Sequence, residues 1–512
     1  MGDFNRVKSF EVNTARLDAE YYGKTYVENA KKIAGFGNIS TLEEMRERTT
    51  PIRRGIDMPI FVQDETSPLM VTIAAFEDPG ICFNGLQRVS KSQHQAFKSS
   101  HIKSGDLLVA MGGYAGKAAI CPPDTPMSNI GRHTARIVLD ETKTDVYYVW
   151  SFIRSKVGTL QFNRYITGSV QAGINLEDIR DISIATPSAF AQKYIGDKIR
   201  QAERLRAWAK ELDAKIAGHF VSLVENPLPA KVSWWATKDT LDPYRINPKQ
   251  YDPVVLDLLD RARHNGVRLD LLGNLMSERG ISGGATPKGA QYCENGVLFA
   301  RVQNVKPLRL DLSDAVFINQ STDEELARSR CAAEDIILTI TGYPGTAALV
   351  MEEDLPVNIN QHSVRFGIKQ DVGNGFVCAA LNSRFLKYQV DRLAIGGTRD
   401  SLDYPSVSRL LIPRFALEIE QEIDACVRNV VSAIKLAHRL TTSAKAIVEA
   451  LIEGQLDEPL LIAAQVQLQS GNDSLDRSIL SRLKTDGVDG TGQPLFADLD
   501  QLYCLLAQAQ EV

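Results

Sequence analysis

Two kinds of hydrophobic pattern alternate along this chain of 512 residues. Short β-branched and aromatic runs, broken by glycine, proline and asparagine, fill residues 37–186 and 266–413 and predict strands and turns. Each of these bodies ends near a proline, and about 36 residues follow in which apolar side chains recur at steps of three and four. This spacing predicts two long amphipathic helices, each roughly 54 Å long.

The apolar positions of each predicted helix form a narrow seam. Two seams of equal length are most simply buried against each other, so we expect an antiparallel coiled coil; packing of each helix on its own body is the alternative. Gly196 and Gly218 weaken the first helix, where a local break would be possible. The seam residues expected at a subunit interface are Ile195, Ile199, Leu205, Leu212, Ile423, Val430 and Ile434.

The chain also repeats itself. Residues 104–137 align with residues 333–366, which lie 229 positions later, and ten of the 34 aligned residues are identical. The same offset places R-L-D at residues 16–18 on R-I-N at residues 245–247. A fixed offset of this length indicates that whole domains were duplicated.

The net charge of −5 belongs to the C-terminal tail. Residues 457–512 hold nine acidic and three basic side chains, whereas residues 1–456 hold 54 acidic and 55 basic ones. Between Leu86 and Lys117 the balance is basic, which fits phosphate contact, although composition alone favours an ordinary solvated face.

Cysteine and histidine spacing argues against metal sites and disulfides. The seven cysteines include no C-x-x-C pair and the seven histidines no H-x-x-x-H pair, so we expect a reducing, cytoplasmic location. No apolar run reaches the ~18 residues of a membrane span, and the chain starts without a secretory signal pattern.

One short motif in both copies presents a tyrosine. GGYAGKA at Gly112–Ala118 lacks the spacing and the hydroxyl residue of a phosphate-binding loop, and its duplicate TGYPGTA has Thr346 in place of Lys117. Both copies keep a tight turn around Tyr114 or Tyr343. This turn is either a structural hairpin or a loop that meets DNA.

A second motif, N-I-x-x-H-x-x-R, spans Asn129–Arg136 and Asn358–Arg365. No acidic partner or nucleophile is duplicated beside its histidine, so a catalytic role is not expected. Inside the motif Gly131-Arg132 becomes Asn360-Gln361, as expected of a shared frame with variable base readout. The chain has no D-P-P-Y or N-P-P-Y, no H-E-x-x-H and no G-x-S-x-G, so we predict no catalytic and no metal-binding residues.

Residues 168–212 resemble the junction between a target-recognition domain and the following helix in the specificity subunit of type I restriction-modification enzymes. That junction has a G-x-x-Q-x-x-[IL]-x-x-x-x-[IL] stretch, an apolar strand and a proline, and then a helix with Q-x-x-I and E-x-L. Residues 281–305 resemble the opening of a recognition domain, with G-x-T-P. The matching residues of the junction are Gly168, Gln171, Ile174, Ile179, Pro187, Gln192, Ile195, Glu203 and Leu205.

The two copies match this family unequally. In the second copy Arg399 replaces the glutamine of the junction, although Pro413 and Gln421 are in place. In the first copy the domain opening keeps only PIRRGIDMPIFV, residues 51–62, and its register is uncertain. The resemblance spans residues 16–456 in alternating stretches and leaves the tail outside.

The resemblance implies an α/β (α+β) tandem duplication. Two mixed α/β target-recognition domains would be separated by two long antiparallel helices that form a coiled-coil spacer, with pseudo-two-fold symmetry. The implied segments are recognition domain 1 at 1–187, spacer helix 1 at 188–226, recognition domain 2 at 227–413, spacer helix 2 at 414–454 and an acidic helical tail at 455–512.

The resemblance also implies partners. Such a subunit is not an enzyme: it reads a bipartite, asymmetric target in double-stranded DNA, docks two methyltransferase subunits and can recruit restriction/translocase subunits. No cofactor is expected on this chain, because S-adenosylmethionine, ATP and Mg²⁺ belong to the partner subunits. Half-sites about 34 Å apart, one turn of DNA, would suit helices of this length. A related type IIB-like specificity subunit and a duplicated scaffold that binds no DNA remain as alternatives.

The residues expected to contact DNA are chosen by their position in the two copies and by side chains that can bond to DNA. In the first domain they are Arg88, Lys91, Tyr114, Lys117, Arg132 and Gln171. In the second domain they are Lys288, Arg301, Gln303, Asn304, Tyr343 and Gln361.

Overall fold

A computed structural model describes the chain at residues 12, 16–168, 172–241, 247–287, 292–396 and 399–510. The chain divides into two units, called here unit 1 (residues 1–206 and 435–512) and unit 2 (residues 207–434). Both division points fall inside long helices, so each unit contains a part of each helix. The domain boundaries expected from the sequence stay a prediction.

The N-terminal copy alternates short strands with helices and ends in a helix of 33 residues. Its helices are α1 (Lys24–Gly35), α2 (Leu42–Met45), α3 (Lys91–Ala96), α4 (Val146–Arg154), α5 (Lys156–Tyr165), α6 (Leu176–Arg180) and α7 (Ala189–Val221). Its strands are β1 (Ile39–Thr41), β2 (Arg53–Arg54), β3 (Phe61–Val62), β4 (Leu69–Val71), β5 (Arg88–Val89), β6 (Leu107–Ala110), β7 (Ala118–Ile120), β8 (Ser128–Ile130), β9 (Thr134–Ile137) and β10 (Ser183–Ala185).

The second copy has the same order of elements and ends in a helix of 36 residues. Its helices are α8 (Pro253–His264), α9 (Leu272–Leu275), α10 (Gln320–Glu325), α11 (Asn374–Asn382), α12 (Arg384–Leu393), α13 (Tyr404–Ser408) and α14 (Leu417–Ile452). Its strands are β11 (Arg268–Leu271), β12 (Ser282–Gly283), β13 (Val297–Ala300), β14 (Val305–Lys306), β15 (Leu308–Leu310), β16 (Val316–Ile318), β17 (Ile336–Thr339), β18 (Ala347–Leu349), β19 (Val357–Ile359), β20 (Ser363–Phe366) and β21 (Leu411–Arg414).

The sheets follow one plan in both copies. In unit 1 the order β2-β9-β6-β7 forms one sheet and β3-β5-β4-β8 forms another, with β1 paired to β10. In unit 2 the corresponding sheets are β12-β20-β17-β18-β15-β14 and β16-β13-β19, with β11 paired to β21. The mixed α/β fold class and the two long helices predicted from the sequence are therefore confirmed.

The offset found in the sequence describes most of the duplication. Helix α1 begins at Lys24 and the corresponding α8 begins at Pro253, at the offset found in the sequence. The strands β17 to β20 begin at the same offset from β6 to β9, one to one. From α4 onward the offset is shorter by one position, as the starts of α7 at Ala189 and α14 at Leu417 show. One residue is thus lost between the last shared strand and the following helix.

The structure settles the register of the first domain opening. Gly55 lies directly against β8, since a Cβ there would stand 1.9 Å from the Ile130 carbonyl oxygen. Gly284 lies against the corresponding strand in the same way, 2.3 Å from the Ile359 oxygen. The R-R-G of the first copy therefore corresponds to the S-G-G of the second, and each glycine allows two backbones to approach closely.

The close approach at Gly55 gives a stability prediction. Gly55→Ala is expected to lower the free energy of unfolding by about 1–3 kcal/mol, because the Cβ would overlap backbone that cannot move freely. Gly35→Ala is the matched control: an added Cβ meets nothing within 4 Å at that helical position. Urea unfolding of the full chain measures both, and equal midpoints for the two variants would contradict this account of the register.

Both long helices are continuous. Helix α7 passes through Gly196 and Gly218 without the local break that was thought possible. Gly196 is a packing position, because an added Cβ would lie 2.6 Å from the Asp145 carboxylate. Helix α14 stops two residues before Gly454, whose φ of 73° is the left-handed conformation common at helix ends.

Within unit 2 the parts of α7 and α14 run antiparallel. The Lys215 ammonium lies 2.6 Å from Glu422, and one turn further along α7 the Phe220 ring packs edge-on against Phe415, just before α14 begins. Contacts therefore move toward the start of α14 as the chain proceeds along α7. Within unit 1, Arg206 of α7 donates to the Thr441 hydroxyl of α14 at 3.0 Å.

The predicted seam positions are mostly covered by the chain itself. Ile195, Ile199, Leu205 and Ile423 have no exposed surface and Val430 is 6% exposed, while Leu212 and Ile434 are half-buried. Fully buried side chains cannot form the surface on which another subunit docks. Their role is therefore corrected to packing within this chain.

The acidic tail folds onto the unit 1 part of α7. It contains α15 (Glu458–Gln469), α16 (Ser474–Ser481), a hairpin of β22 (Leu483–Lys484) and β23 (Gly487–Val488), and α17 (Leu499–Gln508). Lys198 of α7 and Asp476 of α16 form an ion pair at 2.6 Å, with side chains 0% and 1% exposed. The loop that follows β23 is closed by the Asp486 carboxylate, which accepts from the Gly492 N–H at 2.9 Å.

Candidate nucleic-acid interface

The asparagine of the N-I-x-x-H-x-x-R motif is part of the frame in both copies. The Asn129 side chain is fully buried and donates to the Ser100 hydroxyl at 2.7 Å. Asn358 is equally buried; it accepts from the Ser329 hydroxyl at 2.6 Å and donates to Asp323 at 2.9 Å. In unit 1 the buried hydrogen bond ties β8 to the residues that follow α3. In unit 2 the buried hydrogen bonds tie β19 to α10 and to the residues that follow it.

The arginine of the same motif is also structural. In unit 1 the Arg136 guanidinium lies 2.6 Å from the Asp106 carboxylate, and both side chains are largely covered. In unit 2 Arg365 donates to the Arg328 carbonyl at 2.7 Å. Both arginines are thus used inside the fold and are not contacts for a ligand.

The turn between these fixed points carries exposed side chains. Arg132 and Gln361 are exposed and occupy corresponding positions of the two copies. Arg132 donates to the His133 ring at 3.0 Å, and the Gln361 amide lies 3.1 Å from the His362 ring. The frame therefore presents a long cationic side chain in one copy and a neutral amide in the other.

The G-Y-x-G turn is a hairpin loop that projects a tyrosine in both copies. The loop glycines Gly116 and Gly345 have φ values of 81° and 100°, and an added Cβ on Gly116 would stand 2.8 Å from the Phe162 ring of α5. The backbone therefore packs on the helix below it. Tyr114 is left 75% exposed and Tyr343 84% exposed.

Two further connections join this loop to the motif turn. The Met111 N–H donates to the His133 carbonyl at 2.7 Å, and Ile340 donates to His362 at 2.9 Å. The Ile174 N–H then donates to the Met111 carbonyl at 2.7 Å, as Leu402 does to Ile340 at 2.8 Å. The same main-chain bonds are thus formed twice.

These bonds gather four loops into one surface, called here the loop edge. In unit 1 it consists of residues 55–58, 112–117, 131–133 and 172–174; the Arg132 N–H donates to the Ile56 carbonyl at 3.0 Å. In unit 2 it consists of residues 284–287, 341–346, 360–362 and 399–402; the Thr286 hydroxyl donates to the Gln361 side chain at 2.5 Å. Tyr114, Lys117 and Arg132 lie on the first loop edge, and Tyr343 and Gln361 on the second.

Two other predicted contacts of the first domain hold a neighbouring loop. Arg88 donates to the Ser67 carbonyl at 2.5 Å, and the Lys91 ammonium lies 2.6 Å from the Thr66 hydroxyl and 3.2 Å from Asp64. Their charges are engaged by this loop, so the structure assigns them a local structural role first. Gln171 lies outside the described residues.

The predicted contacts of the second domain that precede β14 are also corrected. Asn304 is fully buried and donates to the Asp311 carbonyl at 2.9 Å, so its side chain is not available to DNA. Gln303 and Arg301 hold the same turn through Asp314, at 2.7 Å and 2.9 Å. Lys288 lies outside the described residues.

The sequence prediction missed an exposed apolar segment next to the first loop edge. Met58 is 81% exposed, Ile60 59% and Phe61 46%, and Arg53 and Arg54 precede them on the surface. The short β-branched and aromatic runs of residues 37–186 predict strands, and that pattern does not separate this segment from the others. The signal that could have found the segment is its content of large apolar side chains around Pro59, where a loop is expected to be polar.

Comparison with known proteins adds fold similarities. No protein-family model matches the sequence, and no curated protein matches it. A type I restriction-modification system S subunit from M. genitalium matches with a TM-score of 0.41 and 12% identity, covering 81% of this chain and 94% of that one.

Two further solved structures match over similar lengths. The HsdS subunit from Thermoanaerobacter tengcongensis has a TM-score of 0.27 and 16% identity, covering 82% of this chain and 97% of its own. A chain described under complex assembly and conformational transition of the type I R-M system has a TM-score of 0.29 and 14% identity, with 84% and 97% covered.

The residues that the structure describes include neither a metal-binding group nor a membrane-spanning helix. No group of three or more histidine, cysteine, aspartate or glutamate side chains in this part of the chain is arranged to hold a metal ion. None of the described helices is both long and apolar enough to cross a membrane.

Proposed function

We propose that this chain is the DNA-specificity subunit of a type I restriction-modification complex. The observation that carries the proposal is the pair of loop edges. Each is held by the same buried asparagine and the same main-chain bonds, and each exposes a tyrosine. The accessible side chains beside that tyrosine differ: Lys117 and Arg132 in unit 1 correspond to Thr346 and Gln361 in unit 2.

This pattern is what sequence-specific reading of DNA requires. Base edges are distinguished by hydrogen-bonding side chains, with arginine suited to guanine and an amide to adenine, whereas a common frame sets position and orientation. Two frames with different accessible side chains would read two different half-sites. The two long helices would set the number of unread base pairs between them.

The chemistry in this proposal belongs to partner subunits. Two methyltransferase subunits would supply S-adenosylmethionine and flip the target adenine, and restriction/translocase subunits, where present, would supply ATP and Mg²⁺. This chain would contribute DNA sequence recognition and docking, without a catalytic residue or cofactor of its own.

Co-expression with a partner methyltransferase, followed by sequencing of modified adenines, tests the proposal. We expect a split motif, with two specified blocks separated by a gap of fixed length. Methylation that requires this chain but recognises one continuous block would contradict bipartite reading. No dependence of methylation on this chain, together with no salt-sensitive duplex binding, would favour the scaffold function instead.

A further inference from the structure

We infer that the segment Met58–Phe61, called here the apolar prong, makes an apolar contact with the bases of the half-site read by unit 1. The inference rests on the proposed function and adds a specificity-determining element that the copies do not share. Met58 and Ile60 are 81% and 59% exposed, which is unusual for side chains of this size on a loop.

The prong is held in a defined position. The side-chain amide of Gln93 in α3 contacts the loop backbone on both sides of Pro59, donating to the Met58 carbonyl at 2.8 Å and accepting from the Ile60 N–H at 2.6 Å. The Ser90 N–H donates to the Ile60 carbonyl at 3.0 Å. Proline fixes its own φ and favours an extended residue before it. The exposed side chains are therefore presented by a braced loop, with little ordering entropy left to lose on binding.

The surroundings of the prong favour DNA as its partner. The prong begins at Met58, the last residue of the first segment of the unit 1 loop edge, and in that segment the Ile56 carbonyl accepts from the Arg132 N–H at 3.0 Å. Arg53 and Arg54 are exposed immediately before it, and Arg54 lies 3.2 Å from Asp57. Apolar side chains next to arginines match a duplex, where phosphates attract the cations and the thymine methyl or an opened base step accepts the apolar group.

The second copy lacks this element. When the two openings are aligned at Gly55 and Gly284, Met58 and Ile60 correspond to Pro287 and Gly289. At the following strand Val62 pairs with Arg88 and Cys293 with Phe317, so Phe61 corresponds to Tyr292, which is 44% exposed. Only the half-site read by unit 1 should therefore depend on the apolar contact from Met58 and Ile60.

The test uses the chain in complex with its methyltransferase and the split motif identified by sequencing. We expect Met58→Ala combined with Ile60→Ala to relax the base preference at one or two positions of a single half-site by about tenfold or more, since the apolar area buried is that of a large side chain. Met58→Leu should retain activity. Met127→Ala, which changes another exposed methionine of unit 1 outside the prong, should leave both half-sites unchanged.

The outcomes separate the prong from the proposed function. If the double variant keeps full selectivity in both half-sites while the wild-type motif is split, the prong inference is overturned and the proposed function stands. If methylation falls equally for all sequences because the methyltransferase no longer assembles, the prong is a protein-docking element and the inference is also overturned. Replacing thymine with uracil in the duplex then distinguishes the two apolar contacts: an equal loss for the wild type indicates a thymine methyl, and no loss indicates a wedge between bases.

Discussion

Asp476→Ala is expected to destabilise unit 1 by about 3–5 kcal/mol, because it leaves the buried Lys198 ammonium without its counter-charge. The Asp476 carboxylate accepts from Lys198 at 2.6 Å and 2.7 Å and from the hydroxyls of Tyr194 and Tyr503, each at 2.6 Å. Both charged side chains are essentially unexposed. The tail is therefore fixed to α7 through a fully satisfied polar cluster, and removal of its centre should release the tail.

Urea unfolding combined with hydrogen exchange of residues 455–510 measures this effect. Asp500→Ala is the control, because the Asp500 side chain is 91% exposed and its ion pair with Arg477 should contribute no more than about 1 kcal/mol. The double change Lys198→Met with Asp476→Leu should recover much of the loss, since it removes both charges together. Similar small effects for Asp476→Ala and Asp500→Ala would show that the cluster does not hold the tail.

The pH dependence of this junction follows from its pKa shifts. Burial alone would raise the pKa of Asp476, but the charge of Lys198 and the hydrogen bonds from Lys198, Tyr194 and Tyr503 bring it below its ordinary value. The contribution of Asp476 to the free energy of unfolding is therefore complete above the unfolded pKa of about 3.9. It is lost only as the pH falls through the lower pKa of the folded state. Burial raises the pKa of both tyrosines, so their contribution is lost only above about pH 10. The tail should stay equally protected from about pH 5 to pH 9.

Arg132→Ala is expected to relax one half-site while the other stays unchanged. Arg132 is exposed on the loop edge of unit 1, whereas the neighbouring Asn129 and Arg136 are committed to the frame. Loss of a side chain that contacts a base edge should cost about 1–3 kcal/mol of discrimination at that base, or roughly 5- to 150-fold.

Methylation rates on duplexes substituted one base pair at a time measure this loss. Gln361→Ala is the matched variant in unit 2 and should relax a position in the other half-site. If Arg132→Ala instead weakened methylation of every duplex equally, with a shallower dependence on salt, Arg132 would be a phosphate contact and not a reader of sequence.

The sequence was sufficient to predict the duplication, the fold class and both long helices. Repeated residues such as Asp106, Gly113 and Asn129 occupy positions where burial or backbone conformation allows little change, so their spacing preserves the offset. The shortening of the offset after β9 and β20 is not predictable from the sequence, because the helices that follow share few identical residues between the copies. The alignment of the first domain opening with the second depends on Gly55. The second opening contains several glycines, and only the backbone contacts with β8 and β19 show that Gly284 is the one that corresponds.

The candidate site was only partly predictable. Tyr114 and Tyr343 were predictable because each lies between two duplicated loop glycines, and it stays exposed where the second glycine packs on a helix. Asn304 was misjudged because a polar residue after a strand is equally typical of a buried turn. Its partner Asp311 lies seven residues away, and sequence alone does not indicate that bond.

The most direct test of the central claim exchanges the exposed readers of the two frames, as Arg132→Gln and Gln361→Arg in separate variants and then together. The measurement is the methylated motif, sequenced for each variant in complex with the methyltransferase. We predict that Arg132→Gln changes base preference in one half-site only, that Gln361→Arg changes it in the other only, and that the double variant shows both changes. A change in both half-sites from either single exchange, or a motif that stays the same in all variants, would contradict the claim that one repeated frame carries two separate readings.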